Sequence, residues 1–108
     1  MKRDIFQAIA DPTRRAILVL ISSSALTPNA IAEQFETTRQ AISKHIKILN
    51  ECDLLEEKKI GREIYYQLKI DKMKEVDQWL EQFKAIWEQR FSQLDQVLIN
   101  LKSKENEN

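Results

Sequence analysis

The chain has 108 residues, 43% hydrophobic and 31% charged, with 17 basic residues balancing 17 acidic ones. Such a chain fits one small soluble domain: no apolar run approaches a membrane span, MKRDIFQAIADPT lacks an apolar core of signal-peptide length, and a cytoplasmic address is expected. One cysteine and one histidine exclude an intrachain disulfide and all but exclude a structural zinc site, which takes four such ligands.

A single glycine and two prolines predict a mostly helical protein with few tight turns. RDIFQAI places Ile5, Phe6 and Ile9 on one side of a short helix. In DPTRRAILVLIS, Asp11 is a good N-cap and Pro12 suits the first helical position, because its missing N–H would have had no partner. Ala16, Ile17, Leu20 and Ile21 form a core stripe, and the serines at 22–24 end that helix. Thr27-Pro28 repeats the start signal before NAIAEQF, a short helix with Ile31, Ala32 and Phe35 apolar.

Thr37 and Gln40 match a capping box and open a helix over about 38–50. Ile42, Ile46 and Leu49 share one face of it, and Arg39, Gln40, Ser43, Lys44 and Lys47 fill the opposite arc. Two helices joined by a short turn, the second with a polar-basic outer face, make a helix-turn-helix pattern. Thr38, Arg39, Gln40 and Ser43 lie near the helix start, where base edges are met, and Lys44 and Lys47 suit phosphate or base contact.

From about residue 54 to 69 the period changes to two. LLEEKKI and EIYYQLKI read as strands about a turn at Gly61-Arg62, with Lys58, Lys59 and Arg62 at the tip. A basic-tipped ribbon directly after a helix-turn-helix is a wing, suited to the flanking DNA backbone. From about 71 to 101 there is neither proline nor glycine, and Met73, Val76, Leu80, Phe83, Trp87, Leu94, Val97 and Leu101 recur at three- and four-residue spacing. That is about 45 Å of helix at 1.5 Å per residue, longer than the preceding residues can cover. The simplest partner is a second copy, with Leu80, Phe83, Trp87 and Leu94 in the interface and Phe6 and Ile9 of the first helix beside them. Residues 103–108 read as a disordered tail. The whole is a single winged helix-turn-helix domain over 1–102, mostly α with a small β-hairpin wing.

His45 flanks the apolar stripe and fits a partly buried structural role better than a DNA contact. Cys52 lies at the end of the same helix, where a small buried thiol is expected. The carboxylates Asp71, Glu75, Asp77, Glu81 and Glu88 fit a solvated face rather than a metal site. No nucleophile stands with a histidine and an orienting acid, and no glycine-rich phosphate loop is present, so an enzyme is not expected.

ADPTRRAIL, TPNAIAEQF, TTRQAISKHIKILNECDLL and GREIYYQL, in order over about residues 4–70, resemble the ArsR/SmtB family of winged-helix repressors. The wording DPTRR and TRQAxSKHxKIL is most similar to the branch of SdpR-type autorepressors. The resemblance implies a homodimer that binds an inverted repeat in double-stranded promoter DNA, with repression relieved by an unknown effector or a sequestering protein. It also supports Thr38, Arg39, Gln40, Ser43, Lys44 and Lys47 as the reading helix and Lys58, Lys59 and Arg62 as the wing. Family members that sense metal use a Cys-x-Cys pair before the reading helix or Asp, His and Glu ligands in the last helix. Here the first segment reads NAIAEQF and the second has no histidine, so no metal site and no cofactor are expected. A protein-interaction module, or a thiol- or metal-responsive sensor on the same fold, is the alternative.

Overall fold

The structure is a computed structural model and describes residues 4–105. Its order is α1 (Ile5–Ile9), α2 (Pro12–Ser23), α3 (Pro28–Glu33), α4 (Arg39–Glu51), β1 (Leu55–Ile60), β2 (Glu63–Leu68), a 3-10 turn (Ile70–Lys72) and α5 (Met73–Glu105). The chain forms two compact units, one up to Val76 and one from Asp77 onward.

In the first unit the helix starts follow from their caps. The Asp4 carboxylate accepts from the Phe6 N–H to open α1, and Asp11 accepts from the Arg14 N–H at 3.0 Å, with Pro12 as the first residue of α2. A helix of five residues leaves its last carbonyls without intrahelical donors. The two arginines of DPTRR supply them: Arg14 donates from Nε to the Ala8 carbonyl (2.9 Å) and from Nη2 to that of Gln7 (2.9 Å), and Arg15 donates from Nη1 to that of Ile9 (2.7 Å). The buried stripe of α2 is Ile17, Leu18 and Ile21, with Leu20 half-buried and Ala16 exposed. This arc is displaced toward Leu18 from the expected one, because α2 packs against α1, α4 and β2 rather than against a single neighbour.

Ile31 of α3 and Ile42, Ile46 and Leu49 of α4 complete the core with Leu54 and Leu55. The N-cap of α4 is Thr38, whose Oγ1 accepts from the Ala41 N–H at 3.1 Å. The expected box from Thr37 is therefore displaced by one residue. Thr37 still belongs to the turn, its N–H bonded to the Phe35 carbonyl at 2.9 Å, and Gln40 falls too early in the helix to reach back. Beyond Cys52 the chain takes a left-handed step at Asp53 (φ 60°). The Leu54 N–H then reaches the Leu49 carbonyl and the Asp53 N–H that of Asn50, at 3.2 and 3.0 Å. That bond pair is a Schellman stop, and the leucines at its two ends, Leu49 and Leu54, are both fully buried in the core.

β1 and β2 pair antiparallel from Leu55↔Leu68 to Ile60↔Glu63, leaving Gly61 and Arg62 as the two-residue turn. Gly61 has φ 64°, the sign required at the first turn position of a II′ hairpin. A third piece of strand, not expected from the sequence, completes the wing. Leu26, just before α3, exchanges both backbone bonds with Tyr66, at 2.9 and 2.8 Å.

Met73 and Val76, in the first turn of α5, pack against this core. In the second unit the helix continues through Glu105. Residues 103–105, expected in a disordered tail, are thus helical, with Lys102 and Lys104 in the last turn favourably placed at the negative end of the helix dipole; 106–108 lie outside the described residues. Trp79, Phe83, Ile86, Trp87, Phe91 and Leu94 are all exposed in the single chain, and the Trp79 and Phe83 rings meet edge-on at 5.1 Å. On its polar side Lys84 bridges Asp77 (3.0 Å) and Glu81 (2.9 Å). Among the described residues no helix is long and apolar enough to cross a membrane.

Candidate nucleic-acid interface

α4 buries Ile42, Ile46 and Leu49 and so fixes what its opposite face presents. Arg39, Gln40, Ser43, Lys44 and Lys47 are all exposed, at successive positions along one side of the first three turns. Thr38 is exposed as well. Its hydroxyl oxygen is committed to the helix cap, but its hydroxyl hydrogen remains available to donate. The face carries donors and cations and no carboxylate.

The wing carries the remaining expected contacts, divided differently from the sequence reading. Register puts Lys59 on the face of Leu55, Ile64 and Tyr66, and Lys58 on the other face with Tyr65 and Gln67. Lys58 donates to the Gln67 side chain at 3.3 Å. The two lysines expected to gather at one tip therefore project to opposite sides of the ribbon, while Arg62 occupies the turn itself. Tyr65 donates its hydroxyl to Glu63 at 3.1 Å, and this bond to a carboxylate raises the phenol above its ordinary pKa. Tyr66 is also raised, chiefly by burial and secondly by Glu57, against an opposing pull from Arg39.

Two features were not foreseen. First, α3, α4 and β2 enclose a cleft of about 290 Å³ whose lining includes Thr27, Asn29, Arg39, Arg62, Glu63 and Tyr66. Thr27 and Asn29 had suggested only a helix start, since no local pattern tells that they will meet residues from 62 onward. Second, Arg14, Asp11 and His45 cluster where α2 meets α4. His45 is half-buried, with Nδ1 3.5 Å from Arg14 Nη1 and 3.8 Å from the Asp11 carboxylate. The Asp11 carboxyl is held below its usual range, first by the Arg14 N–H and then, against the cost of burial, by the His45 and Arg14 charges. The Cys52 thiol is buried and donates to the Asp4 carbonyl at 3.4 Å, tying the end of α4 to the start of α1.

Residues 9–58 match a family described as a helix-turn-helix domain. Over 80 residues the chain is 35% identical to the transcriptional repressor SdpR of Bacillus subtilis, an alignment covering 74% of this chain and 89% of that one. An ArsR-like transcriptional regulator from Rhodococcus superposes with a TM-score of 0.66 at 32% identity, over 86% of this chain and 88% of the other. The chain belongs to the ArsR/SmtB family. The arsenical resistance operon repressor of Staphylococcus xylosus is a further relative, 30% identical over 71% of this chain and 74% of its own length. As an ArsR/SmtB member the protein is a helix-turn-helix regulator and not an enzyme. Among its described residues no three His, Cys, Asp or Glu side chains converge as a metal site would require.

Proposed function

We propose that this ArsR/SmtB protein is a homodimeric transcriptional repressor that binds a palindromic operator. The observation that carries the reading is the exposed polar face of α4, free of carboxylates over its first three turns, beside a wing with Arg62 at its turn. Gln40, Ser43 and Thr38 supply hydrogen bonds for base edges in a major groove, Lys44 and Lys47 follow the groove wall, and Lys58, Lys59 and Arg62 serve the flanking backbone. Arg39 stands at the entry to the reading helix.

Dimerisation is supported by α5. Met73, Leu80, Trp87, Leu94 and Leu101 fall on one heptad position, and Val76, Phe83, Arg90 and Val97 on the other. This is the seam of a two-helix pairing, interrupted once by Arg90. Phe83, Trp87 and Leu94 are 41%, 43% and 52% exposed in the single chain, so a second copy would bury large aromatic and aliphatic surface. Phe6 and Ile9 already pack against the core of the first unit and are only half-exposed, which leaves them a lesser part. A dimer doubles every DNA contact, so a subunit of zero net charge still has enough cations at its face.

Fluorescence anisotropy over a salt series, with DNA from upstream of the protein's own gene and a scrambled duplex, tests the reading. Selective binding of one dimer per site, with affinity falling steeply with salt, is expected. Weak binding that does not distinguish the two duplexes, repeated with duplexes selected from random DNA, would reject it.

A further inference from the structure

We propose that the cleft between α3, α4 and the wing seats one phosphate of the DNA backbone in each half-site, and that Arg39 is a phosphate ligand there rather than a base reader. The proposal deepens the repressor reading above and rests on it.

The cleft joins residues from three distant parts of the chain: Thr27 and Asn29 before and in α3, Arg39 as the first residue of α4, and Arg62 in the wing turn. Two guanidiniums on one small cavity repel each other unless an anion sits between them. Among the described residues neither makes an ion pair within the chain. Arginine is the residue best matched to a phosphate, with several N–H groups in a rigid planar fork. The neutral groups are of the right kind as well. The Thr27 oxygen accepts the Ala30 N–H at 3.1 Å, which leaves its hydroxyl hydrogen to donate, and the Asn29 amide and the Tyr66 hydroxyl add further donors. The one carboxylate on the rim, Glu63, is engaged by the Tyr65 hydroxyl. Two cations and one carboxylate leave a net single positive charge, which a phosphodiester monoanion neutralises. A metal cation is unsuited to the same surroundings.

Position favours a backbone phosphate over a free anion. The cleft lies between the start of the reading helix and the tip of the wing. A strand whose major groove takes α4 and whose flank takes the wing must pass its sugar-phosphate chain between the two. An arginine held there by the phosphate it shares with Arg62 is drawn away from the groove floor, which leaves base reading to Gln40, Ser43 and Lys44.

The test uses the full-length protein and a duplex selected from random DNA, with single phosphates replaced by neutral methylphosphonates along each half-site. For the native protein, one replacement per half-site should weaken binding tenfold or more. The double variant Arg39→Gln/Arg62→Gln should bind the unmodified duplex more weakly, with a salt slope lower by about 0.9 per half-site, and should be indifferent to that replacement. Asn29→Ala should weaken binding severalfold and leave base preferences intact. Circular dichroism and urea midpoints matching the native protein confirm that these exposed changes leave the fold in place. The proposal is overturned if the double variant still responds to every methylphosphonate as the native protein does, or if Arg39→Gln relaxes the preference for one base pair. If the native protein selects no duplex at all, the repressor reading falls and the phosphate seat falls with it.

Discussion

Replacing Arg14 by methionine separates a scaffold role from a DNA role for the DPTRR arginines. The substitution keeps much of the side chain's apolar stem and removes the donors that reach the Ala8 and Gln7 carbonyls, both at 2.9 Å. A hydrogen bond from a charged donor contributes about 1.5–3 kcal/mol when shielded. The bond to Ala8 is part-buried and keeps most of that, whereas the bond to Gln7 is exposed and water can replace it. Together they suggest a loss of about 2–3 kcal/mol, the weak 3.5 Å contact with His45 adding little. At a denaturant slope of about 1.5 kcal/mol/M, the urea midpoint should fall by roughly 1.5 M. Both proteins must be measured at one concentration, since association would add to apparent stability. DNA affinity of the folded variant and its salt slope should be unchanged. An unaltered midpoint together with a shallower salt slope would refute this reasoning and make Arg14 a DNA ligand.

Asp11→Asn keeps a capping side chain and removes the charge. Because the folded-state pKa of Asp11 is lowered, its charge stabilises the native state above the ordinary carboxylate pKa of about 3.9. That contribution disappears as pH falls through the lowered value, so the variant should lose less stability than the native protein between about pH 5 and pH 2, as urea titrations at each pH would reveal. Gly61→Ala meets no atom within 4 Å of the new Cβ, so only the positive φ opposes it. The expected cost is about 1–2 kcal/mol, visible in the urea midpoint, and a near-zero cost would mean that the turn relaxes. Leu94→Glu puts a charge into the α5 seam and should yield monomers by sedimentation and much weaker operator binding. Retention of a dimer would move the interface elsewhere.

Much of the fold was legible because its signals are local. Asp11-Pro12 and Thr27-Pro28 announce helix starts through their own chemistry, and Ile42, Ile46 and Leu49 mark the inner face of α4 by spacing alone. The lone glycine marks the hairpin, since few other residues accept its φ. What escaped depends on neighbours distant in sequence. The buried arc of α2 moved to Leu18 because three elements press on that helix, and the cap moved to Thr38 because the preceding turn held Thr37. The opposite facing of Lys58 and Lys59 follows from the strand register, and that was within reach of a stricter period-two reading. The candidate site divides in the same way. The outer face of α4 is a periodicity result, whereas the convergence of Thr27 and Asn29 with Arg62 exists only once the hairpin has folded back over α3.

The bridge between Leu26 and Tyr66 has a mechanical consequence. Through two backbone bonds the wing is fastened to the segment that leads into α3, so the ribbon does not behave as a free flap. The Leu26 and Tyr66 amides should show the same protection against deuterium exchange, because each is released only when the same clasp opens. An inserted residue between Ser24 and Leu26 would slip that clasp and reverse which side chain faces inward at the third strand. Length variation in this short connection should therefore be tolerated far less than its exposed serines suggest.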